Sequence, residues 1–184
     1  YLDKITHIII DFPKFEGSVY DCAWARERFQ RDAVMQGLVN CSDNDVIIIG
    51  DADEIASPQV VANYKLSDGL VRLKQRMFYY YLNCENLEGW DWQKIAPYKL
   101  VRELTPCGIR YPPAGDVPLI ENAGWHFSFI GPAAHVIQKV QDYSHQEYNT
   151  PEIIDLEHVN KCMDDGIDLY GRDLHYTFTD DSKG

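Results

Sequence analysis

Apolar runs and polar turns alternate along the first third of the chain. Residues 4–11 (KITHIIID) and 46–49 (VIII) have the composition of strands, whereas residues 24–38 (WARERFQRDAVMQGL) have the spacing of an amphipathic helix. In that helix Glu27 and Arg31 are four residues apart and are expected to form an ion pair. The residues expected to face inward from this helix are Trp24, Phe29, Ala33 and Val34.

The run at 46–49 is bounded by polar residues on both sides, which is typical of a strand buried on both faces. Ser57 and Pro58 then have the order of an N-cap and a first helical residue. Strand, helix, strand and helix in succession predict an α/β fold with a central, mostly parallel sheet flanked by helices.

The middle of the chain is rich in aromatic residues and has a different pattern. Residues 69–83 predict a strand or a pair of strands, and residues 98–104 are expected to continue an antiparallel region. Residues 107–118 contain several Pro and Gly and predict a long surface loop. Alternation at 124–130 (GWHFSFI) predicts another strand.

Two shorter helices, at 133–140 and 152–163, are predicted near the end of the chain, and residues 179–184 are expected to fray. We find no repeat and no linker, and the length of 184 residues suits one domain covering 1–184.

The charge narrows the class of partner. The formal charge of −12 and the pI of about 4.8 argue against binding to a nucleic-acid backbone. A small phosphate ligand held through a divalent cation stays compatible with this charge. No run approaches the roughly 18 apolar residues of a membrane span. The five cysteines contain no CxxC pair, which favours reduced thiols and a cytoplasmic location.

The stretch GDADEI at 50–55 places three carboxylates directly after an apolar strand. Such a turn can simply be a solvated helix start, because acidic residues favour helix N-termini. However, ligands collect beyond the carboxyl ends of strands in α/β sheets. Asp51 and Asp53 there can hold Mn²⁺ or Mg²⁺, which would stabilise the charge on a departing diphosphate.

A second chemistry uses the same placement. Asp51 would be a nucleophile and Asp53 a general acid, in the manner of haloacid-dehalogenase-like phosphatases and phosphotransferases. Those enzymes usually carry Thr or Val at the position of Ile55, and they need a further acidic pair. The pair Asp164 and Asp165 lies in a predicted helix, so this hypothesis ranks second.

Four blocks of the sequence together resemble glycosyltransferase family 17. The chain is expected to be a bacterial or viral member of that family. The four blocks are WARERFQRD at 24–32, GDADEI at 50–55, AGWHFSF at 123–129 and YSHQEYN at 143–149. The resemblance implies a GT-A type fold for nucleotide-diphospho-sugar transfer, a UDP-sugar donor such as UDP-GlcNAc, a glycan acceptor, a divalent metal and inversion at the anomeric carbon.

Family members usually have an earlier strand upstream of what is Tyr1 here, and that strand helps to form the nucleotide site. The sequence therefore leaves a third hypothesis open, in which a truncated domain binds sugar without turnover.

The resemblance also implies roles for residues near the metal. Asp53 is expected to bind the metal directly, with Asp51 as a second ligand or a ribose contact, and His126 as a third ligand through its neutral imidazole. Packing of His126 among aromatic residues is an equal alternative. Glu54 is expected to cap a helix or to support the ligands.

An inverting transferase needs a carboxylate that accepts the proton of the attacking hydroxyl. The candidates for this general base are Glu121, Glu147 and Asp116. Candidate donor contacts are Asp51, Arg31 and Arg76, with Arg102 as a further arginine that could reach a diphosphate. Candidate acceptor contacts are Trp90, Trp92 and His145, together with the aromatic residues at 79–81, although core packing explains some of these rings as well.

Overall fold

The computed structural model describes residues 2–112 and 115–179. The five α-helices of this part of the chain are α1 (Val19–Ala33), α2 (Pro58–Asn63), α3 (Tyr98–Arg110), α4 (Ala133–Asp142) and α5 (Leu156–Asp165). The strands are β1 (Val46–Ile49), β2 (Glu54–Ala56), β3 (Val71–Leu73), β4 (Gln75–Tyr79), β5 (Cys84–Trp90), β6 (Lys94–Pro97), β7 (Leu119–Ile120), β8 (Gly124–Ser128) and β9 (Tyr176–Phe178).

The strands form two mixed sheets, with the orders β1-β6-β3-β7 and β2-β8-β4-β5-β9. The α/β class is confirmed, but the prediction of a mostly parallel sheet is wrong. In the described residues only β3 with β7 and β4 with β8 pair in parallel, and the other five pairings are antiparallel. Short connections such as that between β4 and β5 explain this, because parallel neighbours need a long crossover.

The apolar run at 46–49 is a strand, but its expected burial on both faces is wrong. It pairs only with β6 and lies at the edge of its sheet, with Val46 and Ile48 exposed. The strand predicted at 4–11 is also absent from the described structure. A 3-10 helix covers Leu2–Lys4, and Ile5 and Ile9 after it are exposed, with no described strand paired to this segment.

Residues 98–104, predicted to be extended, belong to α3, and part of the loop predicted at 107–118 continues that helix. The buried residues Val101 and Ile109 show the helical spacing that the aromatic content obscured. A kink at Thr105 and Pro106 interrupts α3, which explains why the pattern was hard to recognise.

The predicted helix at 24–38 exists as α1 followed by a 3-10 turn, Val34–Gly37. However, the expectation that Phe29 and Val34 face inward is wrong, since both are exposed. Ser57 is at the N-cap position of α2 as predicted, and β8, α4 and α5 fall where strand and helices were predicted. The expected frayed tail lies mostly at 180–184, outside the described residues.

The largest buried cluster lies between the second sheet and the pair α4 and α5, and it includes Tyr79, Tyr80 and Phe129. A smaller cluster joins β1 and β6 to α3. The turn from β1 to β2 connects the two sheets, so residues in this turn reach side chains from both.

Candidate active site

The turn that follows β1 brings the acidic residues against a buried glutamine. A Cβ on Gly50 would lie 2.6 Å from Oε2 of Glu54 and 2.7 Å from Nε2 of Gln93. The turn is closed by two hydrogen bonds, from the Asp51 amide to Oε2 of Glu54 (3.1 Å) and from the Glu54 amide to the Asp51 carbonyl (3.0 Å). Glycine at position 50 is therefore what allows the Glu54 carboxylate to fold back under the turn.

Glu54 forms the floor of the site. Its side chain is fully buried, and its two carboxylate oxygens accept hydrogen bonds from Arg110 at 2.9 and 2.8 Å. The indole nitrogen of Trp90 donates to the same carboxylate at 2.5 Å. The expectation that Glu54 caps a helix is wrong, since it lies in β2 and Ser57 precedes α2. A buried carboxylate with a bidentate guanidinium is a fixed structural unit.

Asp51 lies between two arginines. Its carboxylate accepts from Arg31 at 2.9 Å and from Arg110 at 2.7 Å. Arg31 also binds Glu27, one turn earlier on α1, as the i,i+4 spacing predicted. Burial by itself lowers the pKa of the Arg31 guanidinium, but the carboxylates of Asp51 and Glu27 raise it above its ordinary value. The charge of Asp51 is thus neutralised by protein side chains.

Asp53 faces the opposite direction, toward β8 and α4. Its carboxylate lies 2.9 Å from Nζ of Lys139 and 3.4 Å from Nε2 of His126. Burial raises the pKa of Asp53, but the bonds from His126 and Lys139 outweigh it and hold the pKa well below its ordinary value. Asp53 is therefore an anion over the whole ordinary range of pH.

His126 is a buried residue of β8 with an incomplete set of hydrogen bonds. Its ring packs against Trp90 at a centroid distance of 4.6 Å, and its Nδ1 has no partner within the described structure. The ring is thus packed among aromatic residues, as one alternative predicts, and its Nε2 faces Asp53, whereas its role as a metal ligand stays a prediction.

A divalent cation fits this pair only with help from a ligand. No group of three or more His, Cys, Asp or Glu side chains that could hold a metal occurs in the described residues. The carboxylate of Asp53 and the imidazole of His126 supply one hard oxygen and one nitrogen. An ion that takes its other ligands from phosphate oxygens and water, as Mg²⁺ commonly does, suits such a pair.

A cavity of about 770 Å³ is lined by Asp51, Asp53, His126 and Lys139, among other residues. Four of the described side chains lining it are cationic and three are carboxylates, although the whole chain carries a charge of −12. The cations are Arg31, Arg110, Lys139 and Arg172, and the carboxylates are Glu27, Asp51 and Asp53. The lining thus carries an excess of one positive charge in an acidic chain, which is compatible with a small anionic ligand.

The far wall of the cavity is aromatic. Tyr148 and Tyr170 stack at a centroid distance of 4.1 Å, and Arg172 lies 4.9 Å above the ring of Tyr170. The buried Asp168 carboxylate accepts two hydrogen bonds from the Arg172 guanidinium, at 3.1 and 2.7 Å. Burial lowers the pKa of Arg172, but Asp168 raises it above the ordinary value. Arg172 is thus a fixed cation beside aromatic faces.

The structure brings most of the candidate residues from the sequence to this cavity. Those that line it are Arg31, Asp51, Asp53, Trp90, Trp92, His126 and His145. Glu147 does not line the cavity, but its carboxylate lies 2.8 Å from Nδ1 of His145.

Other candidates lie elsewhere on the surface. Arg76 pairs with Glu85 and Arg102 pairs with Asp43, both outside the cavity. Glu121 and Asp116 are exposed and do not line the cavity either.

Sequence reasoning missed three cations of the site, Arg110, Lys139 and Arg172. Arg110 was hidden because residues around it were expected to form a loop, whereas it ends α3. Lys139 follows a helical pattern that was recognised, but only the packing of α4 beside β8 brings it to Asp53. A signal existed for Arg172, since Asp168 precedes it by four residues.

A concave cavity with aromatic walls and a few convergent charged groups is typical of a ligand-binding site. The sequence model of glycosyltransferase family 17 matches residues 3–181, so the chain belongs to that family. It is a glycosyltransferase and has a sugar donor and an acceptor as substrates. Neither the curated proteins nor the solved structures contain a match. No helix of the described residues has both the length and the apolar character needed to cross a membrane.

Proposed function

We propose that this glycosyltransferase is a metal-dependent, inverting enzyme with a GT-A-like arrangement. It would move a sugar, GlcNAc in the first instance, from a UDP-sugar to a glycan acceptor. The cationic lining of the cavity around Asp51 and Asp53 carries this proposal, since a nucleoside diphosphate is an anion. The family resemblance of GDADEI and GWHFS to UDP-GlcNAc-dependent members supports the choice of donor.

Asp53 and His126 are the residues that would hold Mn²⁺ or Mg²⁺, with Asp51 on the nucleotide side of the turn. When bound, the ion would supply Lewis-acid stabilisation of charge on the departing diphosphate. Lys139 and Arg172 line the same cavity and would add fixed positive charge there. Arg31 is the better donor contact of the arginines considered from sequence, because Arg76 is engaged with Glu85 outside the cavity.

The acceptor would lie against the aromatic side of the cavity. Trp90 and Trp92 line it with ring centroids 6.4 Å apart, and aromatic faces suit the apolar faces of sugar rings. In an inverting transfer the acceptor hydroxyl attacks the anomeric carbon from the face opposite the diphosphate. The bond from that carbon to the phosphate oxygen breaks, and the diphosphate leaves with the electron pair.

The phosphatase hypothesis loses its support here. The chain belongs to a glycosyltransferase family, and Asp164 and Asp165 lie on α5, outside the cavity. Both oxygens of Asp51 are engaged by arginines, which does not suit a nucleophile.

Calorimetric titration of UDP and UDP-GlcNAc, with Mn²⁺ and with EDTA, tests the donor site. We expect binding with Mn²⁺ that weakens at least tenfold in EDTA and in Asp53→Ala. The control is Asp43→Asn, which removes an exposed carboxylate that is paired with Arg102 outside the cavity. Equal binding in EDTA would overturn metal dependence. Absence of binding in every condition would overturn the donor and favour a sugar-binding domain without turnover.

A further inference from the structure

We propose that His145, oriented by Glu147, is the general base that accepts the proton of the acceptor hydroxyl. This inference rests on the proposed function. It differs from the expectation that Glu147 acts directly, because Glu147 does not line the cavity whereas His145 does.

The contact between the two residues fixes the proton arrangement of the imidazole. Nδ1 of His145 lies 2.8 Å from a carboxylate oxygen of Glu147. A carboxylate only accepts, so Nδ1 carries the hydrogen and donates it. In the neutral ring Nε2 is then the basic nitrogen. Nε2 of His145 makes no hydrogen bond to any other described residue, so its lone pair is available to a ligand.

Neighbouring rings also hold the imidazole in place. The ring of Trp24 meets it edge-on at 4.8 Å, and the rings of Tyr143 and Tyr148 lie at 5.4 and 6.1 Å. The backbone carbonyl of His145 accepts from the Tyr148 amide at 3.1 Å, which closes the turn that carries Glu147. A base that is already oriented before the acceptor binds needs little reorganisation in the transition state.

The carboxylates that line the cavity are all engaged by donors. Glu27 binds Arg31 and accepts from the hydroxyl of Ser144 at 3.3 Å. Asp51 is held by two arginines, and Asp53 by Lys139 and His126. The oxygens of these carboxylates are therefore already occupied by donors of the protein. Two described histidines that line the cavity, His126 and His145, have a ring nitrogen without a partner. Nδ1 of His126 is buried and out of reach of a ligand, whereas the His145 side chain is 44% exposed.

The resulting step balances. The acceptor oxygen forms its bond to the anomeric carbon as its proton passes to Nε2 of His145, and the bond from that carbon to the phosphate oxygen breaks. The ring becomes an imidazolium, whose charge the Glu147 carboxylate stabilises through Nδ1–H. UDP leaves as an anion, and the imidazolium later loses its proton to water.

The test compares His145→Gln and Glu147→Gln with wild type, using UDP-GlcNAc and an acceptor found by glycan screening. We expect kcat to fall on the order of 10²–10⁴-fold in His145→Gln, the usual contribution of general base catalysis. Glu147→Gln should lower kcat on the order of tenfold, because the proton arrangement of the ring is then no longer enforced. The Kd for UDP should be unchanged in both variants.

A matched control exists in the same chain. His175 and Glu88 form an analogous pair, with Nδ1 2.7 Å from the carboxylate, but they are outside the cavity. His175→Gln should leave kcat unchanged. Two further readouts exclude a purely structural role for His145. Added imidazole should restore turnover to His145→Ala, and Glu147→Gln should cost nothing further when combined with His145→Gln.

The proposal is overturned if His145→Gln keeps kcat near wild type while UDP binding and melting are normal. Loss of kcat in His145→Ala without rescue by imidazole, in a variant that binds UDP normally, also overturns it. Absence of UDP binding in the wild type is a different result, since it rejects the donor site and not the choice of base.

Discussion

Two adjacent carboxylates of the same turn, Glu54 and Asp53, lie in opposite environments. The Glu54 side chain is completely buried and receives hydrogen bonds from Arg110 and Trp90. The Asp53 side chain is 28% exposed, lines the cavity and pairs with Lys139 and His126. The chain passes from the turn at Asp53 into β2 at Glu54, and this step directs the two side chains to different surroundings.

Within the stretch GDADEI, Glu54 (the inner carboxylate) has a structural role, whereas Asp53 (the outer carboxylate) lines the cavity. The inner carboxylate joins the end of α3 to β2 and thereby fixes the turn. The outer carboxylate keeps access to a ligand. The cations on both sides also answer how three acids can follow one strand, because Arg31, Arg110 and Lys139 neutralise them.

The largest effect is expected from Glu54→Gln. Removing one member of a buried ion pair leaves the Arg110 guanidinium without its bidentate partner, and such losses cost about 3–5 kcal/mol. We expect urea denaturation to show a loss of this size in the free energy of unfolding. Asp43→Asn removes an exposed pair with Arg102 and should cost less than about 1 kcal/mol. Similar costs in the two variants would contradict the structural role of Glu54.

Asp53→Asn should lower the activity strongly and the stability very little, in contrast to Glu54→Gln. The amide keeps the shape of the side chain but loses the negative charge that would bind the divalent cation. We expect kcat/KM to fall on the order of 10²–10³-fold, as when one group that stabilises transition-state charge is lost. The free energy of unfolding should change by less than about 1 kcal/mol. Full activity in this variant would remove Asp53 from the mechanism.

Sequence patterns predicted well those features that depend on short-range order. The strand at 46–49, the Ser57–Pro58 helix start and the strand at 124–128 each follow from local spacing. The acidic turn also stood out, because three acids directly after an apolar run are conspicuous in any chain. Pairing partners depend on contacts distant in sequence, so the apolar pattern of residues 4–11 predicts a strand although no described strand pairs with them.

Dependence on contacts distant in sequence also explains why the sequence predicted the site only in part. The sequence leaves Glu54 between a helix cap and a support for the ligands, because nothing near it in sequence shows that Arg110, 56 residues later, covers it. Arg76 was chosen for its charge alone, and its position opposite Glu85 on neighbouring strands depends on the register of β4 and β5. Charge and type are local properties, whereas the direction of a side chain depends on the whole fold.

Gly50→Ala tests how closely the Glu54 carboxylate approaches the turn at Gly50. The added methyl group would lie 2.6 Å from the Glu54 carboxylate, which Arg110 prevents from moving freely. Overpacking of this kind costs about 1–3 kcal/mol. The measurement is the midpoint of urea unfolding, with Gly108→Ala as a control, since a Cβ there would meet its nearest atom at 3.4 Å, an ordinary van der Waals contact, and Gly108, like Gly50, has no positive φ. An unchanged Gly50→Ala midpoint would show that the turn adapts.

Lys139→Met tests the surroundings of Asp53 with a smaller expected effect than Asp53→Asn. The methionine keeps the contact with the Phe129 ring, over which the ammonium lies at 4.9 Å, but loses the charge beside Asp53. We expect the Kd for UDP-GlcNAc to rise on the order of tenfold, the value of one partly exposed charge contact. Calorimetry measures this directly. Tighter binding in the variant would instead mean that Lys139 competes with the metal for Asp53.

The smallest effect is the contribution of Asp53 to the pH dependence of stability. Its pKa in the folded protein is lowered, so its bonds stabilise the fold fully above the ordinary carboxyl pKa of about 3.9 and lose this contribution as the pH falls further. Solvent screening at this partly exposed side chain limits the contribution to about 1 kcal/mol. The difference in unfolding free energy between wild type and Asp53→Asn should be constant from pH 5 to 7 and shrink toward pH 3. A difference that stays constant down to pH 3 would mean that Lys139 and His126 stabilise the Asp53 anion no better than water does.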